Sequence, residues 1–384
     1  MPEIHISDVR QFLSCRRAWN YSSLLRMGYE PNPAPIYYVV GRAVHLGMYA
    51  YYEEGVHPAF AYQQFINKHI EENEPELRIP DEKSIRQQQI KTGLMICDNY
   101  YKWVTGLDSP DEGWTTISNE TKFHLPQFNE QGRKSRKITH GGRFDRLARW
   151  DGPSLPNRKN GTVWLWEFKT TSREPDRTWL DLDNQVTSYL HAAESIIGTP
   201  IEGVHFRFMK KKFPQKPYRV RNGTQLSRAI NSGAQGVSTT YDLYVEAIEE
   251  LAIEELREKH GQDIPEVLLL RRVHALKHEY DDVLTVLAGR GWEEYFMTFD
   301  ITKTPAQIQN STKDFWQLGL EMCRPSVKIY PAPEWMKCKF CHYREPCMME
   351  NDGRDPKDLL RFAYKKRDSD EADLDTILSY GGLE

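Results

Sequence analysis

The sequence predicts an α/β protein, and two observations carry that reading. Helical periodicity fills the first hundred residues, and period-two alternation replaces it at about residue 115. Strand character then breaks off near residue 210 into charged helical stretches and returns only near residue 294, as an insertion in a smaller α/β core would require. The chain has 384 residues, 39% of them hydrophobic, which is enough for one large core or two modest ones.

The elements follow in order. Ser7 is placed to cap a first helix carrying Val9, Phe12, Leu13 and Arg16 at helical spacing. A second helix is expected over 41–54, closed by Gly55, with His45, Met48 and Tyr52 on one stripe; 58–73 and 82–104 are also helical. Residues 115–125, 139–150 and 163–170 read as strands, the last two joined by a turn at 156–161. A helix over 179–197 and a strand over 204–209 follow. Helices over 226–260 and 265–287 would fill an insertion spanning 219–290, before a strand at 294–301 and a helix at 305–323. Residues 349–384 read as an acidic, partly disordered tail.

Composition excludes some classes. Fifty-one Lys and Arg against 55 Asp and Glu give a net charge of -4, so the distribution of charge, not its sum, bears on nucleic-acid binding. Mean hydropathy is -0.68, and no apolar run approaches the ~18 residues of a membrane span. The first residues, Met1 to His5, lack the basic and apolar regions of a signal peptide, so the sequence predicts a soluble cytoplasmic protein. There is no phosphate-binding loop, nucleophile elbow or dinucleotide fingerprint.

The segment from Val163 to Thr170 is the most informative. On a strand, Glu167 and Lys169 share a face while Phe168 turns into the core. A carboxylate that holds a hard cation, beside a lysine that orients water and offsets phosphate charge, suits metal-assisted phosphodiester hydrolysis. Taken alone the spacing is no more distinctive than Glu120-x-Lys122, Asp81-x-Lys83 or Asp355-x-Lys357. Context adds weight. Asp145 lies in an apolar strand, where an ionised carboxylate is costly unless paired with Arg143 or Arg146 or bound to a metal. Gln185 and Tyr189 stand at i, i+4 on one helix face, and His45 is either a satisfied core histidine or a nitrogen ligand.

The cysteines form a second pattern. Cys338, Cys341 and Cys347 fall within ten residues and Cys15 lies near the N-terminus, whereas Cys97 and Cys323 suit the core. A close thiol triplet in a reducing compartment points to a metal or cluster site, and four thiolates suit zinc as well as iron and sulfur. The segment 205–221 carries seven Lys and Arg, no acid and four interleaved aromatics. This is either a single-strand contact, with Lys210, Lys211, Lys212 and Arg219 tracking phosphates, or a solvated basic hairpin.

The ordered set His45, Asp145, Glu167-x-Lys169 and Gln185-x-x-x-Tyr189 resembles the PD-(D/E)XK nuclease superfamily, within it the RecB-like branch. That branch includes CRISPR-associated RecB-like exonucleases, the AddB nuclease domain and phage exonucleases. The resemblance covers about residues 5–55 and 138–210 and the late cysteines. It implies a restriction-endonuclease-like core, a central mixed sheet flanked by helices, in one nuclease domain over 1–348. Within that domain, 56–114 is a helical region and 323–348 with Cys15 is an iron–sulfur region. It implies His45, Asp145, Glu167 and the Phe168 carbonyl as ligands of Mg2+ or Mn2+, and Lys169 as the catalytic lysine. Gln185 and Tyr189 would contact DNA or brace the site. Cys15, Cys338, Cys341 and Cys347 look like that branch's [4Fe-4S] clip, zinc being the other occupant. The implied activity is a metal-dependent DNA exonuclease acting on DNA with single-stranded character, with a helicase, recombination or CRISPR protein as partner. A structure-dependent endonuclease and a non-catalytic DNA-binding subunit are the alternatives.

Overall fold

The computed structural model describes residues 1–73, 80–106, 108–128, 133–233 and 236–367. The chain divides into two compact units, one of residues 1–209 with 298 onward, the other of 210–297. The inserted unit is therefore wider at both ends than the expected 219–290.

The larger unit opens with β1 (Glu3–Ile4), α1 (Ile6–Ser14), α2 (Arg16–Ser22) and β2 (Tyr29–Pro31). Three long helices follow, α3 (Ile36–Glu54), α4 (Pro58–Asn73) and α5 (Pro80–Thr105), then the strands β3 (Trp114–Phe128), β4 (Lys134–Trp150) and β5 (Val163–Thr171). Next come α6 (Arg177–Leu182), α7 (Asn184–Ile197) and β6 (Ile201–Lys210). The inserted unit holds a short hairpin of β7 (Arg219–Val220) and β8 (Gln225–Leu226), then α8 (Tyr241–His260), α9 (Glu266–Glu279) and α10 (Asp281–Ala288). β9 (Phe296–Ile301) is followed by α11 (Pro305–Met322), α12 (Trp335–Lys339), α13 (Arg344–Asn351), α14 (Lys357–Ala363) and β10 (Tyr364–Lys366).

The sheet is mixed and flanked by helices. Its order is β1-β4-β5-β6-β9, with β3 also on β4. β4 is the hub, because β3 pairs antiparallel along most of it, β1 pairs parallel at Thr139 and His140, and β5 pairs antiparallel from Arg146 to Arg149. Gly203 on β6 permits close approach of its neighbour, since a Cβ there would lie 2.5 Å from the Ile301 carbonyl oxygen. One face of the core joins Ile4, Phe12, Trp19, Ile138, Phe315 and Trp316 from β1, α1, α2, β4 and α11. The inserted unit has its own core around Tyr244, Ile248, Leu251, Tyr280 and Leu284.

Several expected boundaries move, each for a local reason. His5, not Ser7, caps α1, and its N–H donates to the Asp8 carboxylate at 3.4 Å. The second helix begins at Ile36, five residues early, and Gly55 closes it in the left-handed region at φ 69°. The helix expected over 179–197 is two, because Asp183 leaves the first helix and caps the second by accepting the Gln185 N–H at 2.8 Å. The stretch expected as a helix from 226 reaches Thr240 before α8 starts, and Thr240 caps it. Residues 349–367 are not a tail: they form the end of α13, α14 and β10, and β10 pairs antiparallel with β2. Residues 368–384 lie outside the described residues. No helix among the described residues is long and apolar enough to cross a membrane.

Candidate active site

The site forms where β5 parts from β4. The last paired residues are Arg146 and Trp166. One residue further, the Asp145 side chain takes over as acceptor, and Phe168 N–H donates to its Oδ2 at 2.7 Å. Strand alternation then sorts β5. Trp166 and Phe168 pack inward against Tyr52 of α3, the Phe168 and Tyr52 rings stacked with centroids 5.7 Å apart. Glu167 and Lys169 share the other face, where Lys169 Nζ donates to Glu167 Oε2 at 2.6 Å. The Glu167 side chain is 4% exposed, and its second oxygen, Oε1, has no hydrogen-bond partner among the described residues.

α3 brings His45 to the same point, its Nδ1 3.3 Å from Asp145 Oδ1. β3 brings a residue that the sequence reading set aside. Glu120 sits between the paired residues Asn119 and Thr121, downstream of an irregularity at Thr116–Ser118, with φ of 45°. One ligand atom each from His45, Glu120 and Asp145 lies within 4.8 Å of the others. Glu120 thus belongs to the constellation, and its sheet register, invisible in an E-x-K count, is what puts it there.

The electrostatics match a place built for a cation. Burial pushes Glu167 up to about 7, opposed by the Lys169 ammonium and reinforced by Asp145. Burial and the Asp145 charge push Glu120 up to about 8 against His45 and Arg143, whose Nε stands 3.7 Å away. Burial also disfavours an ionised Asp145, but His45, Lys169 and the Phe168 N–H together overcome it and hold the carboxyl below its ordinary value. Burial works against a charged His45 too, and Asp145 overrides it, so the imidazole titrates above its ordinary value. Three carboxylates and an imidazole crowd one place, and one carboxylate oxygen is unsatisfied. This donor set fits a hard divalent cation.

α7 closes the site. Gln185 Nε2 stands 3.4 Å from Glu167 Oε2, and Arg10 of α1 donates to Gln185 Oε1 at 2.9 Å while pairing with Asp183. Tyr189, one turn on, is raised by burial and by the Glu167 charge. The i, i+4 pair thus meets the E-x-K pair, and Arg10 and Asp183, which no sequence pattern singled out, fix its orientation. Behind β5 lies a buried ionic network. Arg207 is fully buried, pairs with Asp111 at 2.6 Å, donates to Tyr100 Oη at 2.9 Å and lies over the Trp166 ring at 4.1 Å.

The four cysteines named by the sequence converge from both ends of the chain. Cys15 separates α1 from α2, Cys338 lies in α12 and Cys347 in α13. Cys15, Cys341 and Cys347 pack on one small core of Ala18, Tyr21, Tyr343 and Leu360, and Cys15, Cys338 and Cys341 line one cleft. Arg17 donates to the Cys347 carbonyl at 3.3 Å and lies 3.7 Å from its sulfur. Cys97 is fully buried and Cys323 packs on the core of Phe315 and Trp316.

The basic segment is more committed than its composition suggests. Phe206 and Phe208 are buried in the sheet. Lys212 pairs with Glu294, Lys216 with Glu246 and Glu250, and Arg219 with Glu254. Lys211 is exposed.

Compared with known proteins, residues 4–348 match the profile of the PD-(D/E)XK nuclease superfamily. No curated protein matches the chain.

Proposed function

The chain belongs to the PD-(D/E)XK nuclease superfamily, and we propose that it is a divalent-metal-dependent deoxyribonuclease of the RecB-like type, acting as an exonuclease. The observation that carries the reading is the meeting of Asp145, Glu167, Lys169 and His45 at the splay of β4 and β5. His45, Asp145, Glu167 and the Phe168 carbonyl would hold Mg2+ or Mn2+. When bound, the cation polarises the scissile phosphate and lowers the pKa of water.

The protein's own residues do the rest. Lys169 is held protonated, because burial is outweighed by the Glu167 and Asp145 carboxylates. Its ammonium would position water and offset charge on the phosphate. Gln185, anchored by Arg10, holds Glu167 in place, and the Tyr189 hydroxyl feels the charges of Glu167 and Lys169. Water oxygen attacks phosphorus and gives up its proton to solvent, while the bond to the departing sugar oxygen breaks and that oxygen takes up a proton from solvent water.

The cysteine clip would hold a [4Fe-4S] cluster. The reading is supported by Cys15, Cys341 and Cys347 packing on one small core and by Cys15, Cys338 and Cys341 lining one cleft; zinc is the other occupant that four thiolates suit. DNA is the polymer substrate. Lys210, Lys211, Lys212 and Arg219 remain the proposed contacts of the inserted unit, Lys211 foremost because Lys212 and Arg219 already have acidic partners. A helicase or recombination protein is a fitting partner for such an enzyme.

Digestion of linear against covalently closed circular DNA with Mg2+, Mn2+ or chelator tests the reading. Loss of linear DNA alone is expected. Cutting of the circle would replace the exonuclease with the structure-dependent endonuclease, and no metal-dependent cutting of either would leave a DNA-binding subunit.

A further inference from the structure

The tightest donor group in the site is not the one that the family resemblance names. It joins His45, Asp145 and Glu120, all within 4.8 Å, while Glu167 spends one oxygen on Lys169 and Gln185. The two oxygens of Asp145 face different ways. Oδ1 looks toward His45 and Oδ2 accepts from Phe168 N–H. Glu120 presents a side chain only 9% exposed, and Arg143 Nε stands 3.7 Å from its Oε2, beyond a direct hydrogen bond. A second observation points the same way: the nine-tenths-buried Glu167 carboxylate beside this group keeps one oxygen without a hydrogen-bond partner among the described residues. Lys169 and His45 each face one of the three buried carboxylates, Glu167 and Asp145, whereas the Glu120 carboxylate meets Arg143 only at 3.7 Å.

We infer that Glu120 is a direct ligand of a divalent cation, completing with His45 and Asp145 a three-donor face on the β3–β4 side of the site. The inference rests on the nuclease reading and deepens it, because it adds a ligand from a strand outside the recognised motif. One imidazole and two carboxylates suit Mn2+ better than Ca2+, and three protein donors leave coordination positions for a phosphate oxygen and water.

The test is Mn2+ binding to the chelator-stripped full-length protein without DNA, followed by the electron paramagnetic resonance of free Mn2+ and by melting with and without Mn2+. Glu120→Gln should weaken Mn2+ binding at least tenfold and shrink the Mn2+-induced rise in Tm, with the metal-free Tm equal to or above wild type. If Glu120 serves only as a partner for Arg143, the metal-free variant melts lower and binds Mn2+ as tightly as wild type, and the inference is overturned. Should Glu120→Gln not fold, Glu120→Asp keeps the charge and shortens the reach; weaker binding supports the inference and wild-type binding overturns it. A wild type that cleaves DNA with Mn2+ while Glu120→Gln binds Mn2+ unchanged sinks the inference alone. A wild type that neither binds Mn2+ nor cleaves sinks the nuclease reading itself.

Discussion

The backbone N–H of Phe168 donates to Asp145 Oδ2 at 2.7 Å, with Asp145 one residue and Phe168 two residues past the last pair of β4 and β5. A side chain thus replaces a strand carbonyl as acceptor, which ties the aspartate of one strand to the E-x-K of the next. Asp145→Asn keeps an acceptor but removes the charge that His45 and a cation need. DNA cleavage should fall by about 10²–10³-fold, the loss typical of one central electrostatic group. Far-ultraviolet circular dichroism should stay unchanged. Cleavage at the wild-type rate would remove Asp145 from the chemistry.

Protons and cations compete for the same carboxylates. Burial lifts Glu167 to about 7 and Glu120 to about 8, above the ordinary 4.5. An acid raised by folding stabilises the metal-free fold fully below its unfolded pKa, and that contribution is lost as pH climbs through the folded value. Metal-free Tm should therefore decline from about pH 5 to about pH 8, and the raised His45 adds to the same trend. Asp145, held low, works the other way and matters only in acid. Mg2+ or Mn2+ should reverse the decline, with affinity rising over the same window. Melting curves across pH with chelator and with metal check this; a flat metal-free profile would contradict it.

Arg207 is fully buried and holds Asp111, Tyr100 Oη and the Pro110 carbonyl behind Trp166, next to Glu167. Removing the cation leaves an Asp111 that is 18% exposed and still accepts from Tyr52 Oη, so the cost should sit at the low end of the about 3–5 kcal/mol of a fully buried pair. Arg207→Met should lower stability by that order in urea unfolding. Below its melting range it should cleave DNA far better than Asp145→Asn. Unchanged stability would mean that water already satisfies Asp111.

The parts of the site that were legible share a property: each announces itself locally. Glu167 and Lys169 share a strand face, Gln185 and Tyr189 a helix face, and Asp145 is an acid in an apolar strand. Glu120 looked like one more chance E-x-K because its role depends on the register of β3 against β4. The contacts of Arg10 with Asp183 and Gln185 stayed hidden because they join residues 173 and 175 apart in sequence. The break at Asp183 was missed because apolar periodicity runs through it, although the cap itself is a sequence signal. The order of 357–366 comes from pairing of β10 with the distant β2, which the acidic composition further on conceals.

The cysteine clip yields a stability test. Cys15 and Cys338 are 323 residues apart (338 − 15), and joining them through one centre restricts the unfolded chain by on the order of 5 kcal/mol. Cys15→Ser should lose iron and melt earlier, whereas Cys97→Ser and Cys323→Ser should keep wild-type iron. Iron and zinc analysis of anaerobically purified protein decides: about four irons per chain are expected for a [4Fe-4S] cluster, and stoichiometric zinc without iron would contradict the assignment.

The most direct measurement is single-turnover digestion of end-labelled linear DNA by wild type and Lys169→Ala, each with Mg2+ and with chelator. Lys169 Nζ, 2.6 Å from Glu167 Oε2 and held protonated, is the group whose removal should stop the chemistry while sparing the fold. The account predicts that wild type releases label only with metal, and that Lys169→Ala at equal Mg2+ is slower by about 10²-fold or more. Lys169→Ala digesting DNA at the wild-type rate would contradict it.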